Sequence, residues 1–412
     1  MSETTSSLIP EAFDRPGDDP IFALNAEAQE RARAGETIIN ATLGALMEDD
    51  GSLAVMPVVA EALASIPIRR SAAYAPIAGD REFLAAVVED VFGKGSLAAQ
   101  AVAVATPGGT GAVHHAIVNF LEPGEALLTT SFYWGPYRIM ADHTRRRVET
   151  FSMFTAAGRF DGEAFAAALD GLMERQGRAL VILNSPCHNP TGYSLDDEDW
   201  SGVVAALRAA ADRGPVALCL DHAYAKFGGP SADGWVRHFE ALAGEVGLLV
   251  AWTVSKSFAQ YGARVGALVA VHPDATERGR LENALSYSCR GTWSNCNHLG
   301  LLAIAKILTT PELSARVDAQ RARLRTLLAG RVAVFNAHAS KAGLRYPRYE
   351  GGFFVTVFTE DSVAVAARMR EDGVFVVPVS GGVRVALCST PAADVPRVVE
   401  ALAAGLKSPV AG

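Results

Sequence analysis

The stretch Leu248-Leu-Val-Ala-Trp-Thr253-Val-Ser-Lys256-Ser-Phe-Ala-Gln-Tyr261-Gly-Ala-Arg264-Val-Gly-Ala267-Leu-Val-Ala-Val271 holds two short apolar runs around a polar turn. Each run is too short for a buried helix and has no polar alternation, so both read as strands buried on two faces. Lysine directly after the first run is partly withdrawn from water, which lowers its pKa and makes the amine nucleophilic. Arg264, eight residues on and followed by Val-Gly, can hold a phosphate through its two-pronged guanidinium. A lone lysine at a strand end is ordinarily a solvated terminus, so the weight falls on what the other strand ends carry.

The same pattern recurs along the chain. Apolar runs are predicted as strands at Ala101–Ala105, Ala126–Thr129, Ala179–Leu183 and Val216–Leu220. Helical spacing marks Pro20–Ala34, Pro57–Ser65, Gly79–Phe92, Asp161–Arg175, Trp200–Arg213 and Pro311–Arg331. Strands separated by helices predict an α/β fold with a mostly parallel sheet covered on both faces. Ligands in such sheets sit outside the carboxyl ends of the strands. The last part, with apolar stretches at Gly352–Val357 and Val374–Val379, reads as a second, smaller α/β domain.

Three strand ends carry polar residues suited to one ligand. Asp221-His-Ala-Tyr224 closes the run Val216–Leu220. A carboxylate there can pair with a protonated ring nitrogen, and Tyr224 can reach a ring oxygen; the plain alternative for Asp221 is a turn or helix cap. Pro107-Gly-Gly109-Thr110-Gly-Ala opens a helix after Ala101–Ala105, where bare N–H groups and the helix terminus attract a phosphate. It lacks the Lys-Ser/Thr ending of a P-loop and the spacing of a dinucleotide fold. Asn184-Ser-Pro-Cys-His-Asn189-Pro-Thr-Gly192 follows Ala179–Leu183; it is turn chemistry on one reading and supplies the Asn189 amide to a ring oxygen on the other.

Bulk properties narrow the classes. A chain of 412 residues is long enough for about two or three domains, and its net charge of −8 disfavours nucleic acid. Arg145, Arg146 and Arg147 form the densest basic run and read as a solvated edge. The N-terminus lacks the basic start and apolar core of a secretory signal, and no apolar run is long enough to span a bilayer. Five cysteines (Cys187, Cys219, Cys289, Cys296 and Cys388) fall in neither disulfide nor metal spacing, so buried free thiols and a reducing cytoplasm are expected, with no metal.

Taken in order, Asn-Pro-Thr-Gly, Asp-x-Ala-Tyr and Ser-Lys-x-Phe-x-x-Tyr-x-x-Arg-Val-Gly resemble the class I aminotransferases of the fold-type I pyridoxal-phosphate superfamily. The nearest likeness is to the aspartate and aromatic amino acid branch. Ile39-Asn-Ala-Thr-Leu-Gly44 looks like that branch's N-terminal glycine segment, and Tyr74 looks like its phosphate-binding tyrosine from a partner subunit. The resemblance implies a seven-stranded-type sheet in the large domain and pyridoxal 5'-phosphate joined to Lys256 as a Schiff base. Gly109, Thr110, Ser255, Arg264 and Tyr74 would take its phosphate. Asn189, Asp221 and Tyr224 would hold its ring, with Trp134 stacked on the face.

On the substrate side the resemblance implies Gly44, with Arg384 clamping the α-carboxylate and Arg290 reaching from the other subunit to a second carboxylate. The implied activity is ping-pong transamination between an amino acid (aspartate, glutamate or aromatic) and a 2-oxo acid, in a cytoplasmic homodimer with shared active sites. The implied domains are an N-terminal arm with part of the small domain over 1–51, a large domain over 52–310 and a C-terminal domain over 311–412.

The sequence departs from the branch at Cys296 and Asn297, where two prolines are usual, at Ala263, where a glutamate is common, and in the longer spacing from Ser380 to Arg384. Tyr349 and Gly351-Gly-Phe353-Phe354 would line the pocket with aromatics and admit a Phe or Tyr substrate. A β-elimination lyase or a cyclopropane-forming synthase would share Lys256, Asp221 and Arg384, and is the rival expectation. A regulator is disfavoured, because the residues ahead of Ile39 are too few for a DNA-binding module.

Overall fold

The computed structural model describes residues 6–17, 20–229, 232 and 234–407. Its strands are β1 (Ile39–Asn40), β2 (Ala101–Thr106), β3 (Ala126–Thr130), β4 (Arg147–Phe151), β5 (Ala179–Asn184), β6 (Val216–Asp221), β7 (Gly247–Thr253), β8 (Gly266–Val271), β9 (Phe354–Phe358), β10 (Val374–Phe375), β11 (Val377–Val379) and β12 (Gly382–Ala386). Seven of them form one sheet in the order β2-β8-β7-β6-β5-β3-β4. Only β8 runs against its neighbours; the β3–β4, β3–β5, β5–β6 and β6–β7 pairs are parallel.

Successive residues explain why these runs lack alternation. In β6, Val216, Leu218 and Leu220 enter one core while Ala217 and Cys219 enter the other. β5 and β7 divide in the same way. The helix Gly108–Phe120 covers the second face with Ala112, Val113, Ala116 and Ile117, alongside Tyr137 and Met140 of the helix Pro136–His143. The first face is covered by Phe83 and Val87 of Arg81–Phe92, Phe165 and Leu169 of Gly162–Gln176, and Val203 and Leu207 of Asp197–Ala211. Each fully buried Leu or Val adds about 1.5–3 kcal/mol, so a strand buried on both sides must be apolar throughout. The expected α/β architecture with a mostly parallel sheet between helices is what the chain adopts.

Away from that sheet, β11, β12 and β9 form an antiparallel three-stranded sheet, and β1 pairs in parallel with β10. Residues near the N-terminus thus bond to residues near the C-terminus. The apolar stretch Val374–Val379 holds two strands: the chain changes partner at Val376, pairing with β1 before it and β12 after it. The helix beginning at Pro311 continues beyond Arg331 to Lys341, because Val332, Phe335 and Ala339 prolong its buried stripe through Gly330. The helix expected from Trp200 starts at Asp197, where Asp196 and Asp199 form a capping box.

The arginine run is only partly a solvated edge. Arg147 opens the edge strand β4, but Arg146 donates to the carbonyls of Thr144 at 2.6 Å and Leu121 at 2.8 Å. All five cysteines are buried and free. Among the described residues no helix is long and apolar enough to cross a membrane.

Candidate active site

Strand register assembles the site. Asn184, the last residue of β5, pairs with Asp221, the last of β6, and Thr253, the last of β7, pairs with Gly266 of β8. Polar side chains are thereby brought level at the carboxyl edge of the sheet, where a parallel sheet binds ligands. Together with the turns that follow, they line a cavity of about 230 Å³ made of Gly109, Thr110, Trp134, Asn184, Asn189, Asp221, Ala223, Tyr224, Thr253, Ser255, Lys256 and Arg264. A cleft of about 300 Å³ at the opposite strand ends, near Val216 and Gly247, is larger, but Lys256, Asp221 and Arg264 do not line it.

Lys256 lies in the one-turn helix Val254–Ser257, started by the Thr253 side chain accepting from the Ser255 N–H. Burial pulls its amine below the usual lysine range; the Asp221 carboxylate opposes this, and the Arg264 charge adds to it. Its Nζ lies 5.6 Å from the centre of the Tyr224 ring and 5.8 Å from that of Tyr261. Asp221 is pushed up by burial and drawn back by the Tyr137 hydroxyl, the Ala223 N–H and the Lys256 charge.

The polar groups at one end of the cavity are themselves held. The Asn184 amide donates to the Asp221 carbonyl at 2.7 Å, and its oxygen accepts from the Asn189 N–H at 2.6 Å. Asn189 Nδ2 donates to the Tyr224 hydroxyl at 3.4 Å, so the amide and phenol meet at one point of the cavity. At the other end, Arg264 Nη1 donates to Ser255 Oγ at 3.3 Å and to the Tyr261 carbonyl at 2.8 Å. Gly108, at φ +70°, lets this guanidinium approach the backbone: a Cβ there would collide with it. The N-terminus of Gly108–Phe120, a hydroxyl and a guanidinium therefore converge, an arrangement suited to an anion.

Arg384 is next door, not in this cavity. It lies on β12 with its guanidinium 4.5 Å above the centre of the Phe354 ring, and Phe354 meets the Tyr224 ring at 5.9 Å. Gly44 touches the same phenylalanine; a Cβ on it would sit 3.0 Å from Cζ. Tyr74 and Arg290 stand apart from the cavity within this chain. Tyr74 is 90% exposed, and Arg290, on the helix Ala275–Thr292, donates to Ser294 Oγ at 2.6 Å.

Sequence reasoning passed over Tyr137, Asn184, Thr253 and Ala223 as site residues. Asn184 and Thr253 carried the signal used for Asp221, a polar residue at the end of an apolar strand. Tyr137 carried none, because it reaches Asp221 across 84 residues of chain.

The profile of the family described as aminotransferase class I and II matches residues 36–402. The aspartate aminotransferase of Pseudomonas aeruginosa is 30% identical over 84% of this chain and 87% of its own length. The aromatic-amino-acid aminotransferase of Escherichia coli is 29% identical over 95% of this chain and 98% of its own. An aminotransferase from Anaerococcus prevotii superposes with a TM-score of 0.92 at 31% identity, covering 98% of this chain and 100% of that one. An aromatic-amino-acid aminotransferase from Burkholderia pseudomallei, covalently bound to pyridoxal phosphate, superposes with a TM-score of 0.81 at 26% identity, over 96% and 99% of the two chains. Sheet order, site geometry and these likenesses agree: the chain belongs to the class I and II aminotransferases.

Proposed function

We propose that this chain moves the α-amino group of an acidic or aromatic L-amino acid to a 2-oxo acid such as 2-oxoglutarate, using pyridoxal phosphate that the cavity lined by Asn184, Asp221 and Thr253 would hold. The observation that carries the reading is a partly buried amine and a buried carboxylate, Lys256 and Asp221, lining one cavity with the guanidinium of Arg264.

The residues fit that cofactor. An amine depressed by burial suits an aldehyde, a carboxylate suits a ring nitrogen, and the paired Asn189 and Tyr224 suit a ring oxygen. Ser255, Arg264, Gly109 and Thr110 suit the phosphate, for which Gly108 leaves the cradle open, and Trp134 offers a flat face. When bound, the ring supplies an electron sink that lets the α-C–H bond ionise. Lys256 Nζ, its pKa lowered by burial, would take the proton from the α-carbon and return it. Asp221 keeps a proton on the ring nitrogen, while the Arg384 fork binds the α-carboxylate and orients that bond. Nothing in the structure favours the rival lyase.

A second copy of the chain completes the site in this reading. Tyr74 and Arg290 are exposed and do not line their own cavity, which supports their serving the cavity of a partner, Tyr74 at the phosphate and Arg290 at a substrate's second carboxylate. The same reading divides the chain into 1–51, 52–310 and 311–412. Its support is that the large sheet lies within Ala101–Val271, while Ile39–Asn40 pairs with Val374–Phe375.

The test is the absorbance spectrum of the purified protein before and after amino acids are added without any oxo acid. A visible band that vanishes in Lys256→Ala and is discharged by aspartate, glutamate or an aromatic amino acid is expected. Absence of the band after pyridoxal phosphate is supplied would remove the reading. Arg290→Ala is expected to depress turnover of acidic donors and spare aromatic ones; equal effects on both would end its assignment to the second carboxylate.

A further inference from the structure

A buried phenol stands behind the buried carboxylate. Tyr137 is 1% exposed and donates its O–H to Asp221 Oδ2 at 2.6 Å, while the Ala223 N–H points at Oδ1 from 3.3 Å. Each carboxylate oxygen thus already accepts one donor from the protein. What remains for a ligand in the cavity is acceptor capacity, which only a donor can use.

The charged and titratable groups around this pair are few. Tyr137 comes from the helix Pro136–His143, Tyr133, stacked on it at 6.3 Å, from the turn before that helix, Cys219 from β6 itself, Tyr224 from the turn after β6, and Lys256 from the turn after β7. Burial and the Asp221 charge push the Tyr137 phenol well above its usual range, so it remains a donor throughout neutral pH.

We propose that Tyr137 is a positioning residue that acts through Asp221: its fixed phenolic donor keeps the carboxylate charged and aimed, so that Asp221 holds a proton on the ring nitrogen of the bound cofactor. The inference rests on the reading of this cavity as a pyridoxal phosphate site. The O–H behind the carboxylate stabilises the anion and would bias a proton shared with the ring nitrogen towards that nitrogen.

The test uses holoenzyme carrying Tyr137→Phe, which removes one oxygen and leaves the ring packed. The visible band is followed against pH, and the dissociation constant for pyridoxal phosphate is measured by equilibrium dialysis. Without the O–H the proton moves towards Asp221, the ring withdraws fewer electrons, and the absorbing group keeps its own proton to higher pH. The expected result is a midpoint raised by about one pH unit and a cofactor held about tenfold less tightly.

Adding Tyr137→Phe to Asp221→Asn is expected to shift the midpoint no further, because the group it acts through is gone. A lower melting temperature with an unchanged midpoint would make Tyr137 structural only, and an equal shift in the Asp221→Asn background would mean that it does not act through the carboxylate; either overturns the proposal. If the phenylalanine protein does not fold, Tyr137→Met replaces it. It also removes the O–H, so the same rise in the midpoint is expected, and an unchanged midpoint overturns the proposal. Wild-type protein that binds no pyridoxal phosphate overturns the site reading itself, which separates the two failures.

Discussion

Arg384 Nη2 donates to the carbonyl of Thr42 at 2.6 Å, across 342 residues of sequence. This bond, with the Phe354 ring beneath the guanidinium, holds a charged side chain that is only 6% exposed in one direction. A fork already anchored by one nitrogen can receive a carboxylate without first losing much side-chain entropy.

Arg384→Lys keeps the charge and removes the fork. It is expected to lower kcat/KM by roughly 2 kcal/mol, about thirtyfold, for every amino acid and oxo acid tried, because the α-carboxylate is common to all. Steady-state kinetics with acidic and aromatic donors checks this; a loss confined to one donor class would place Arg384 on the side-chain pocket.

Gly108→Ala and Gly109→Ala are expected to behave differently although they are neighbours. The first puts a Cβ into the Arg264 guanidinium at a backbone φ of +70°, whereas the second meets nothing closer than Thr253 at 3.6 Å. Strain of about 1–3 kcal/mol at Gly108 is expected as weaker cofactor retention and a lower melting temperature. Pyridoxal phosphate titrations of both variants make the comparison, and equal affinities would rule out the cradle.

Three buried histidines set an acid limit. Burial pushes His115, His188 and His222 each down to about 3. The unfolded chain takes up these protons below about pH 6.5, while the folded chain stays neutral until about pH 3. The unfolded state therefore binds more protons in that window, and stability falls as pH drops through it. His115→Phe, which keeps a ring beside Trp293, stacked at 4.3 Å, is expected to flatten the slope by up to about 1.4 kcal/mol per pH unit. Urea unfolding at several pH values measures it.

Arg331 is wholly buried and spends its donors on the carbonyls of Cys388 at 2.7 Å and Met47 at 2.8 Å and on Asp49 Oδ1 at 2.7 Å. It ties the end of the Gly44 segment to the turn after β12. Arg331→Met leaves these acceptors unmet and is expected to cost about 3–5 kcal/mol of stability. Asp49→Asn, which leaves the cation in place and alters only a half-exposed partner, is expected to cost far less. Denaturant midpoints of the pair would decide it.

Much of the large sheet was legible because a strand buried on both faces has to be apolar from end to end, and the chain writes Ala179–Leu183, Val216–Leu220 and Leu248–Thr253 in that way. Asp221 and Lys256 were legible for the complementary reason: polar residues tolerated at the ends of such strands sit where the sheet meets solvent and ligand. The strand β4 was not, since its burial is shallow and its residues are mixed. The partner change at Val376 was not legible either, because an apolar run such as Val374–Val379 does not record which neighbour each part pairs with.

The sequence by itself determined the order of strands and helices and the local chemistry of each turn, because periodicity, glycine geometry and side-chain type act over a few residues. Tertiary structure alone decided that Tyr137 stands behind Asp221, that Arg384 rests on Phe354 and Thr42, and that Arg331 joins residue 47 to residue 388. Those relationships depend on strand register and on the burial of charge between distant segments. No local pattern encodes them, since each partner meets its own packing needs separately and they come together only when the whole core closes.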